Sequence, residues 1–305
     1  MKEKTRNQIA KFIFVLIITF CVYLYEEYVN VESVETKVEH REEESIKLDS
    51  NNLTIQFIDV GQGDCILINQ NEDYMLIDAG NNEDGELLVN YFKDLGIKKF
   101  NYVIGTHAHE DHIGGLDNII NNFDIGKFYM PDVITTTKTF EDVLDALLEK
   151  NKAFDTPSIG KEFKLQDLDF KVLYVGNDKS DLNNTSIVLK MTYKDTTYLF
   201  MGDATDKVEK ILIDDGVDLK SDVLKVGHHG SQYSTTSNFL KKVSPSYAVI
   251  QVGKDNTYDH PKQITLDKLQ KLNVMTYRND IDGTIILTSD GNNINFKTMK
   301  TNTNG

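Results

Sequence analysis

Three histidines and two acids crowd into six consecutive positions, His107 to His112, as His107, His109, Glu110, Asp111 and His112. The surrounding string from Thr106 to Leu116 reads T-H-A-H-E-D-H-I-G-G-L. Imidazole and carboxylate groups gathered this closely suit a divalent zinc, manganese or iron ion. His107 and His109 alternate across one residue, so a short extended stretch points both the same way. Asp111 and His112 follow as the chain turns into a helix, and that spacing has room for two metals. A motif of this kind draws its weight from a strand-loop-helix context. The apolar run from Phe100 to Gly105 predicts a buried strand that delivers the loop from its carboxyl end.

Three further segments place a polar group where an apolar strand ends. Tyr74 to Ile77 runs into Asp78, Thr197 to Met201 reaches Gly202-Asp203, and Asp222 to Gly227 ends in His228-His229-Gly230-Ser231. Residues far apart in sequence that each follow a strand can converge on one edge of a sandwich. A glycine-hinged turn, Asp59-Val-Gly-Gln-Gly-Asp64, separates a period-two strand at Leu53 to Ile58 from another at Cys65 to Ile68.

The elements that must hold these groups follow from periodicity. Helices are expected at 86–95, with Leu87, Leu88, Tyr91, Phe92 and Leu95 on one side, at 115–121, and at 139–151, with Phe140, Val143, Leu144, Leu147 and Leu148 inward. Further helices are expected at 207–214, 237–243 and 264–272, and a closing strand pair at 274–277 and 283–287. Strands arrive in runs with helices between them. That order predicts an α+β fold in which two sheets pack face to face with helices outside, rather than one parallel sheet.

The chain divides into four segments. Residues 1–25 carry Lys2, Lys4, Arg6 and Lys11 ahead of the apolar stretch Phe12 to Tyr25. A stretch of about 17 apolar residues is at the lower limit for spanning a bilayer. No small-x-small cleavage site follows, so a signal anchor is expected, the alternative being a domain secreted after cleavage. Basic residues on the cytoplasmic side would place the remainder outside. Residues 26–50 hold nine acids against three basic residues and read as a self-repelling tether. Residues 51–300 form the expected catalytic domain, and 301–305 a tail. Cys21 and Cys65 lie in different settings, and no disulfide between them is expected. The net charge of -15 argues against a broad basic face for nucleic acid, because neutralising phosphates needs clustered Lys and Arg.

Seven motifs in register, D-V-G-Q-G-D, I-D-A-G, T-H-A-H-E-D-H-I-G-G, N-N-x-S-I-V-L, M-G-D, L-K-V-G-H-H-G-S and N-x-Y-x-H-P, resemble the extracellular metallo-β-lactamase-like domain of the ComEC competence proteins. The resemblance covers about residues 53 to 290. It implies a four-layer αββα sandwich; the N-terminal transmembrane anchor read above is a departure from it, standing where those proteins carry a polytopic membrane channel. It also implies two divalent ions, zinc or manganese. His107 and His109 would bind the first, Asp111 and His112 the second, and Asp203 would bridge them. His228, preferred over His229, would complete the second site, with His229 either facing solvent or substrate or serving as the ligand in its place.

Asp78, and the acids Asp59 and Asp64 of the glycine turn, would orient ligands or touch substrate. Many relatives have a third histidine for the first metal where this chain has Asn183-Asn184. An amide oxygen is a weaker ligand for zinc and tolerable for manganese, so the first site is expected to hold its ion more loosely. Asp111 or Asp203 would orient the attacking water, and His260, with Ser231 and Lys225, would contact a phosphate or protonate the leaving oxygen. The resemblance favours a metal-dependent phosphodiesterase or nuclease acting on DNA outside the membrane, as in competence and DNA uptake. A small or cell-surface phosphodiester fits the acidic charge better, and a non-catalytic metal-binding surface adaptor is the third reading. β-Lactam hydrolysis is least favoured, since the asparagine pair replaces a zinc ligand.

Overall fold

A computed structural model describes residues 52–300. The expected anchor, the acidic tether and the tail lie outside the described residues. Among the described residues no helix is long and apolar enough to cross a membrane.

Among the described residues the fourteen strands are Leu53–Phe57 (β1), Ile66–Gln70 (β2), Asp73–Ile77 (β3), Lys99–Ile104 (β4), Asp124–Tyr129 (β5), Glu162–Leu165 (β6), Leu168–Tyr174 (β7), Val188–Tyr193 (β8), Thr196–Phe200 (β9), Val223–Lys225 (β10), Tyr247–Ile250 (β11), Met275–Arg278 (β12), Ile285–Ser289 (β13) and Ile294–Thr298 (β14). The longer helices are Gly85–Asp94 (α1), Leu116–Asn122 (α2), Lys138–Glu149 (α3), Asp206–Asp214 (α4), Ser237–Val243 (α5) and Gln263–Lys271 (α6). One sheet runs β14-β13-β1-β2-β3-β4-β5 and the other β12-β11-β10-β9-β8-β7-β6.

Period-two alternation decides which face each strand buries. Leu53, Ile55 and Phe57 of β1 meet Phe170, Leu189, Met191 and Phe200 of the opposite sheet in one apolar layer between the two. Outside the first sheet, Leu88 and Phe92 of α1, Ile119 of α2, and Phe140, Val143 and Leu147 of α3 cover Leu67, Leu76 and Val103. Outside the second, Leu212 of α4, Phe239 and Leu240 of α5, and Leu269 of α6 cover Leu199, Leu224 and Ile250. The four-layer αββα sandwich expected from sequence is the fold.

Two details differ from the sequence reading. Leu87 and Leu148 are each 70% exposed, because the 3.6-residue period carries them off the inward stripe set by Leu88 with Phe92 and by Val143 with Leu147. The expected closing strand pair does not pair. Strand β12 lies parallel to β11 in the second sheet, while β13 crosses to the first and runs antiparallel to β1. A short helix, Asn279–Asp282, and Gly283 at φ 64° make that crossing. Gly283 tolerates this left-handed conformation because it lacks a Cβ.

Both sheets change from antiparallel to parallel pairing at one place. In the first, β3 pairs antiparallel with β2 and parallel with β4; in the second, β9 pairs antiparallel with β8 and parallel with β10. Parallel neighbours bring their carboxyl ends to the same edge, where open sheets place their ligand sites. Asp78, the histidine loop, Asp203 and the His228-His229 pair all leave from those ends.

Candidate metal centre

Asp78 is the fixed point on the first sheet. It is fully buried, its Oδ1 accepts from the Thr106 N–H at 2.7 Å, and its Oδ2 accepts from the Thr106 hydroxyl at 2.7 Å. The same Oδ2 lies 2.8 Å from His112 Nδ1. That contact turns His112 Nε2 inward, where it has no hydrogen-bond partner. A carboxylate behind a ligating imidazole fixes its tautomer and ring orientation. Burial pushes the Asp78 carboxyl up, with His112 opposing.

The glycines of the motif let the two loops touch. A Cβ on Gly114 would lie 2.2 Å from the Asn81 carbonyl carbon, and one on Gly63 would lie 2.5 Å from the Asp111 carbonyl oxygen. With hydrogen there instead, Ala79 N–H donates to His112 O at 2.7 Å and Asp64 N–H to Asp111 O at 3.0 Å. The Asp59 to Asp64 turn is thereby locked against the histidine loop.

From the second sheet, β9 ends in Met201-Gly202-Asp203, and the Asp203 N–H donates to Ser186 Oγ at 3.1 Å. Asp203 Oδ2 stands 3.4 Å from His112 Nε2, 3.4 Å from His229 Nε2, 3.8 Å from His228 Nε2 and 3.9 Å from His107 Nε2. Among the described residues three groups of ligand-competent atoms have all members within 4.8 Å of one another: Asp64, Asp78 and His112, and two that include Asp203, namely Asp111, His112, Asp203 and His229, and His107, His109 and Asp203. Asp203 belongs to both of the latter groups.

His229, rather than the expected His228, completes the group with Asp111, His112 and Asp203. His228 and His229 have φ of 50° and 51°, two successive left-handed residues. Such strain concentrates at functional sites. The turn buries His229, with Nδ1 2.9 Å from Gln251 O and Nε2 3.2 Å from Asp111 Oδ2. It leaves the His228 side chain 23% exposed at the cleft mouth, 3.5 Å from Asn183 Nδ2.

The donor set fits divalent cations. His112 Nε2, His229 Nε2 and Asp203 Oδ1 are buried and have no hydrogen-bond partner, an expensive arrangement for apolar surroundings and a natural one around a cation. Burial opposes charge on His112 and His229, but Asp203 and its neighbouring carboxylates outweigh it and hold both imidazoles above their usual value. Burial likewise opposes ionisation of Asp203 and Asp111, yet the facing histidines keep both carboxyls low. His107 goes the other way, pushed well down by burial and by His112.

Several expected residues take other roles. Lys225 is sealed from solvent and pairs with Asp64 at 2.7 Å, so it does not reach a substrate phosphate. Asp64 in turn lies 3.4 Å from His229 Nδ1. Asp59 is exposed, and its carboxylate accepts from the Gly61 N–H at 3.1 Å, away from the cluster. Of the asparagine pair, Asn183 lines the cleft while Asn184 turns aside to Thr205 and Asp181. Ser231 is buried and supports the turn by accepting from the Tyr233 N–H. His260 lines the cleft, its ring 5.6 Å from that of His228. Burial, with His228 and His229, pushes His260 down to about 4.

The cleft encloses about 370 Å³ and is also lined by Gln62, Glu110 and Tyr258, none of them assigned from sequence. Tyr258 was within reach of sequence reasoning, since it occupies the third position of N-x-Y-x-H-P.

The family model of the metallo-beta-lactamase superfamily matches residues 58–254. ComE operon protein 3 of Bacillus subtilis is 32% identical over 250 residues, covering 76% of this chain and 32% of that protein. Competence protein ComA of Neisseria gonorrhoeae is 26% identical over 238 residues, covering 77% of this chain and 32% of that protein. The chain thus spans about a third of the length of these curated relatives. Among solved structures, the metallo-beta-lactamase fold protein YhfI from Bacillus subtilis aligns with a TM-score of 0.50 at 11% identity, over 75% of this chain and 96% of that one. CmlA, a diiron beta-hydroxylase from Streptomyces venezuelae, aligns with a TM-score of 0.50 at 14% identity, over 76% of this chain and 53% of that one. At such identities the likeness concerns the fold alone, and a hydroxylase among these structures illustrates that a fold does not fix a reaction. With the match running from Ile58 to Lys254, through every residue that converges on Asp203, the chain belongs to the metallo-β-lactamase superfamily of metal-dependent hydrolases.

Proposed function

We propose that this protein is a metal-dependent phosphodiesterase that cleaves DNA, held by its N-terminal apolar segment with the domain outside the membrane. The observation that carries the reading is the pair of ligand groups sharing Asp203 at the floor of an open cleft. His107, His109 and Asp203 would hold one ion, and Asp111, His112, His229 and Asp203 the other. When bound, two divalent cations, zinc or manganese, supply Lewis acidity that acidifies a water and neutralises charge developing on a phosphoryl oxygen.

The chain's own residues do the rest. Asp78 holds His112 in one orientation through Nδ1. Asp111, kept ionised by His112 and His229, is able to accept a hydrogen bond from the attacking water and orient it. His260 is neutral at pH 7, so one ring N–H can donate to a phosphoryl or leaving oxygen, but it is not a standing cationic acid. The relatives' names, a competence protein and Recombination protein 2 of Haemophilus influenzae, at 28% identity over 239 residues, support nucleic acid as substrate.

A second reading, a small or cell-surface phosphodiester as substrate, is favoured by the absence of Lys and Arg from the described cleft lining. A single experiment separates the two. Protein loaded with zinc or manganese is given DNA and bis(p-nitrophenyl) phosphate at about 0.01 M and about 0.1 M salt, where screening lengths are about 30 and 10 Å, with His107→Ala as control. Cleavage of DNA with shallow salt dependence supports the nuclease, since each neutralised phosphate on a duplex contributes about -0.9 to the salt slope. Hydrolysis of the small diester with DNA left intact transfers the proposal to the second reading. For the topology, protease added to intact cells should cut near Arg41 or Lys47 and release an active domain, whereas complete protection would refute the outward orientation.

A further inference from the structure

We infer that Tyr258 and His260 form a stacking platform for an unpaired nucleobase, which makes single-stranded nucleic acid the preferred substrate of this site. The inference deepens the phosphodiesterase reading and rests on it for the chemistry, though not for the binding.

Charge removes the usual alternative. Proteins that hold duplex nucleic acid do so by neutralising several phosphates with Lys and Arg, and neither lines the described cleft. Beyond the metal-binding groups and Lys262, which acts on His260 and is itself paired with Asp259 at 3.1 Å, the grip left to this site is non-ionic. Stacking of bases on aromatic side chains is the general non-ionic means of holding a single strand, and it tolerates any base because each has a π face.

The rings are arranged for it. A ladder of aromatic rings climbs from the buried cluster to the surface. His229 is 2% exposed. His228 lies edge-on to His260 at 5.6 Å between centroids, and His260 stacks on Tyr258 at 5.8 Å with 23° between planes. Tyr258 ends the ladder 62% exposed, so a planar ring can join it. A base placed there would have its own phosphodiester beside the cluster.

A lone exposed tyrosine would mean little, but this one is held in place. Asn256 Oδ1 accepts from the N–H groups of Tyr258 at 3.2 Å and His260 at 3.0 Å, while its Nδ2 donates to Gly253 O at 2.9 Å and His260 O at 2.6 Å. Pro261 closes on the histidine turn so tightly that a Cβ on Gly230 would lie 2.5 Å from Pro261 Cβ. The platform is therefore fixed to the His228 to Gly230 turn before any ligand arrives, which spares the ordering of a loop on binding.

The test reads binding directly. The full-length, metal-loaded protein is titrated with a single-stranded oligonucleotide that carries 2-aminopurine and phosphorothioate linkages, which slow hydrolysis. Quenching of the 2-aminopurine reports stacking. Tyr258→Ala should weaken binding about tenfold, the scale of one base on one ring, and Tyr258→Phe should bind within about twofold of the unaltered protein. An abasic strand should bind the unaltered protein as weakly as the base-bearing strand binds Tyr258→Ala. Equal affinity for base-bearing and abasic strands, or no loss in Tyr258→Ala, would overturn the platform. Hydrolysis of bis(p-nitrophenyl) phosphate by the same preparation reads the chemistry separately. Hydrolysis without base-dependent binding rejects the platform alone, whereas base-dependent binding with neither this diester nor an unmodified oligonucleotide hydrolysed supports the platform and rejects the phosphodiesterase reading.

Discussion

Replacing Lys225 with methionine tests whether this lysine belongs to the scaffold or to the substrate. Its Nζ lies 2.7 Å from Asp64 Oδ2, with the two side chains 0% and 2% exposed, and it donates to Val226 O at 3.0 Å. Burial opposes ionisation of Asp64, but Lys225 and then His229 outweigh it and keep the carboxyl below its usual 3.8. In Lys225→Met the carboxylate keeps His229 Nδ1, 3.4 Å away, and the weaker pull of His112. Methionine has a similar length and little strain, so the loss is one of charge pairing rather than packing. Removing one partner of a buried ion pair costs about 3–5 kcal/mol, a large part of a total stability of about 5–15 kcal/mol. At a urea slope of about 3 kcal/mol/M, the unfolding midpoint at pH 7 should fall by about 1–1.7 M.

The pH dependence of this loss has a definite sign. A depressed carboxyl contributes stability above its unfolded value and loses that contribution as pH falls through the folded value. In Lys225→Met the folded value rises instead, so the buried charge is most harmful at neutral pH and is relieved by protonation. The gap between the two proteins should therefore narrow on acidification toward pH 4. Lys225→Met with Asp64→Leu, an apolar pair, should recover most of the loss. A single variant with an unchanged midpoint but a raised KM for phosphodiesters would refute the argument and return Lys225 to the substrate.

Three further outcomes follow from the same geometry. Asp203→Ala should lose both ions and His229→Ala one, while His228→Ala keeps two, as read by metal analysis; greater loss from His228→Ala than from His229→Ala would reverse the assignment. Asp78→Asn keeps the shape but removes the charge behind His112 Nδ1, so metal affinity in competition with a chromophoric chelator should drop about 10–100-fold, and unchanged affinity would remove Asp78 from any orienting role. His260, pushed down to about 4, stays neutral where an unfolded histidine at 6.5 takes up a proton, so acidification between those values should destabilise the fold; a proton NMR titration of its ring with a midpoint near 6.5 would contradict this.

Much of this architecture could be read in the sequence because its signals are local. Leu53, Ile55 and Phe57 announce an inward face by alternation, and Asp78, His107 and Asp203 each follow a run of buried apolar residues. What stayed hidden depends on geometry that alternation does not encode. Val223, Leu224 and Lys225 are all buried, as residues of a parallel strand covered on both faces are. A lysine in such a strand gives no sign of pointing to Asp64, in the turn between β1 and β2, rather than to a ligand.

The two adjacent histidines pose the sharper case. In an extended chain neighbours point to opposite faces, so one of the pair was bound to face inward. Only the left-handed turn at His228 and His229 decides that it is His229 that meets Asp111 and Asp203. The residue type that could have flagged such a turn is glycine, which appears one position later, at Gly230. There its small size admits Pro261 and so ties the aromatic wall of the cleft to the cluster. Gly230 therefore joins the histidine turn to that wall, and substituting Gly230 should disturb metal retention and strand binding together rather than either alone.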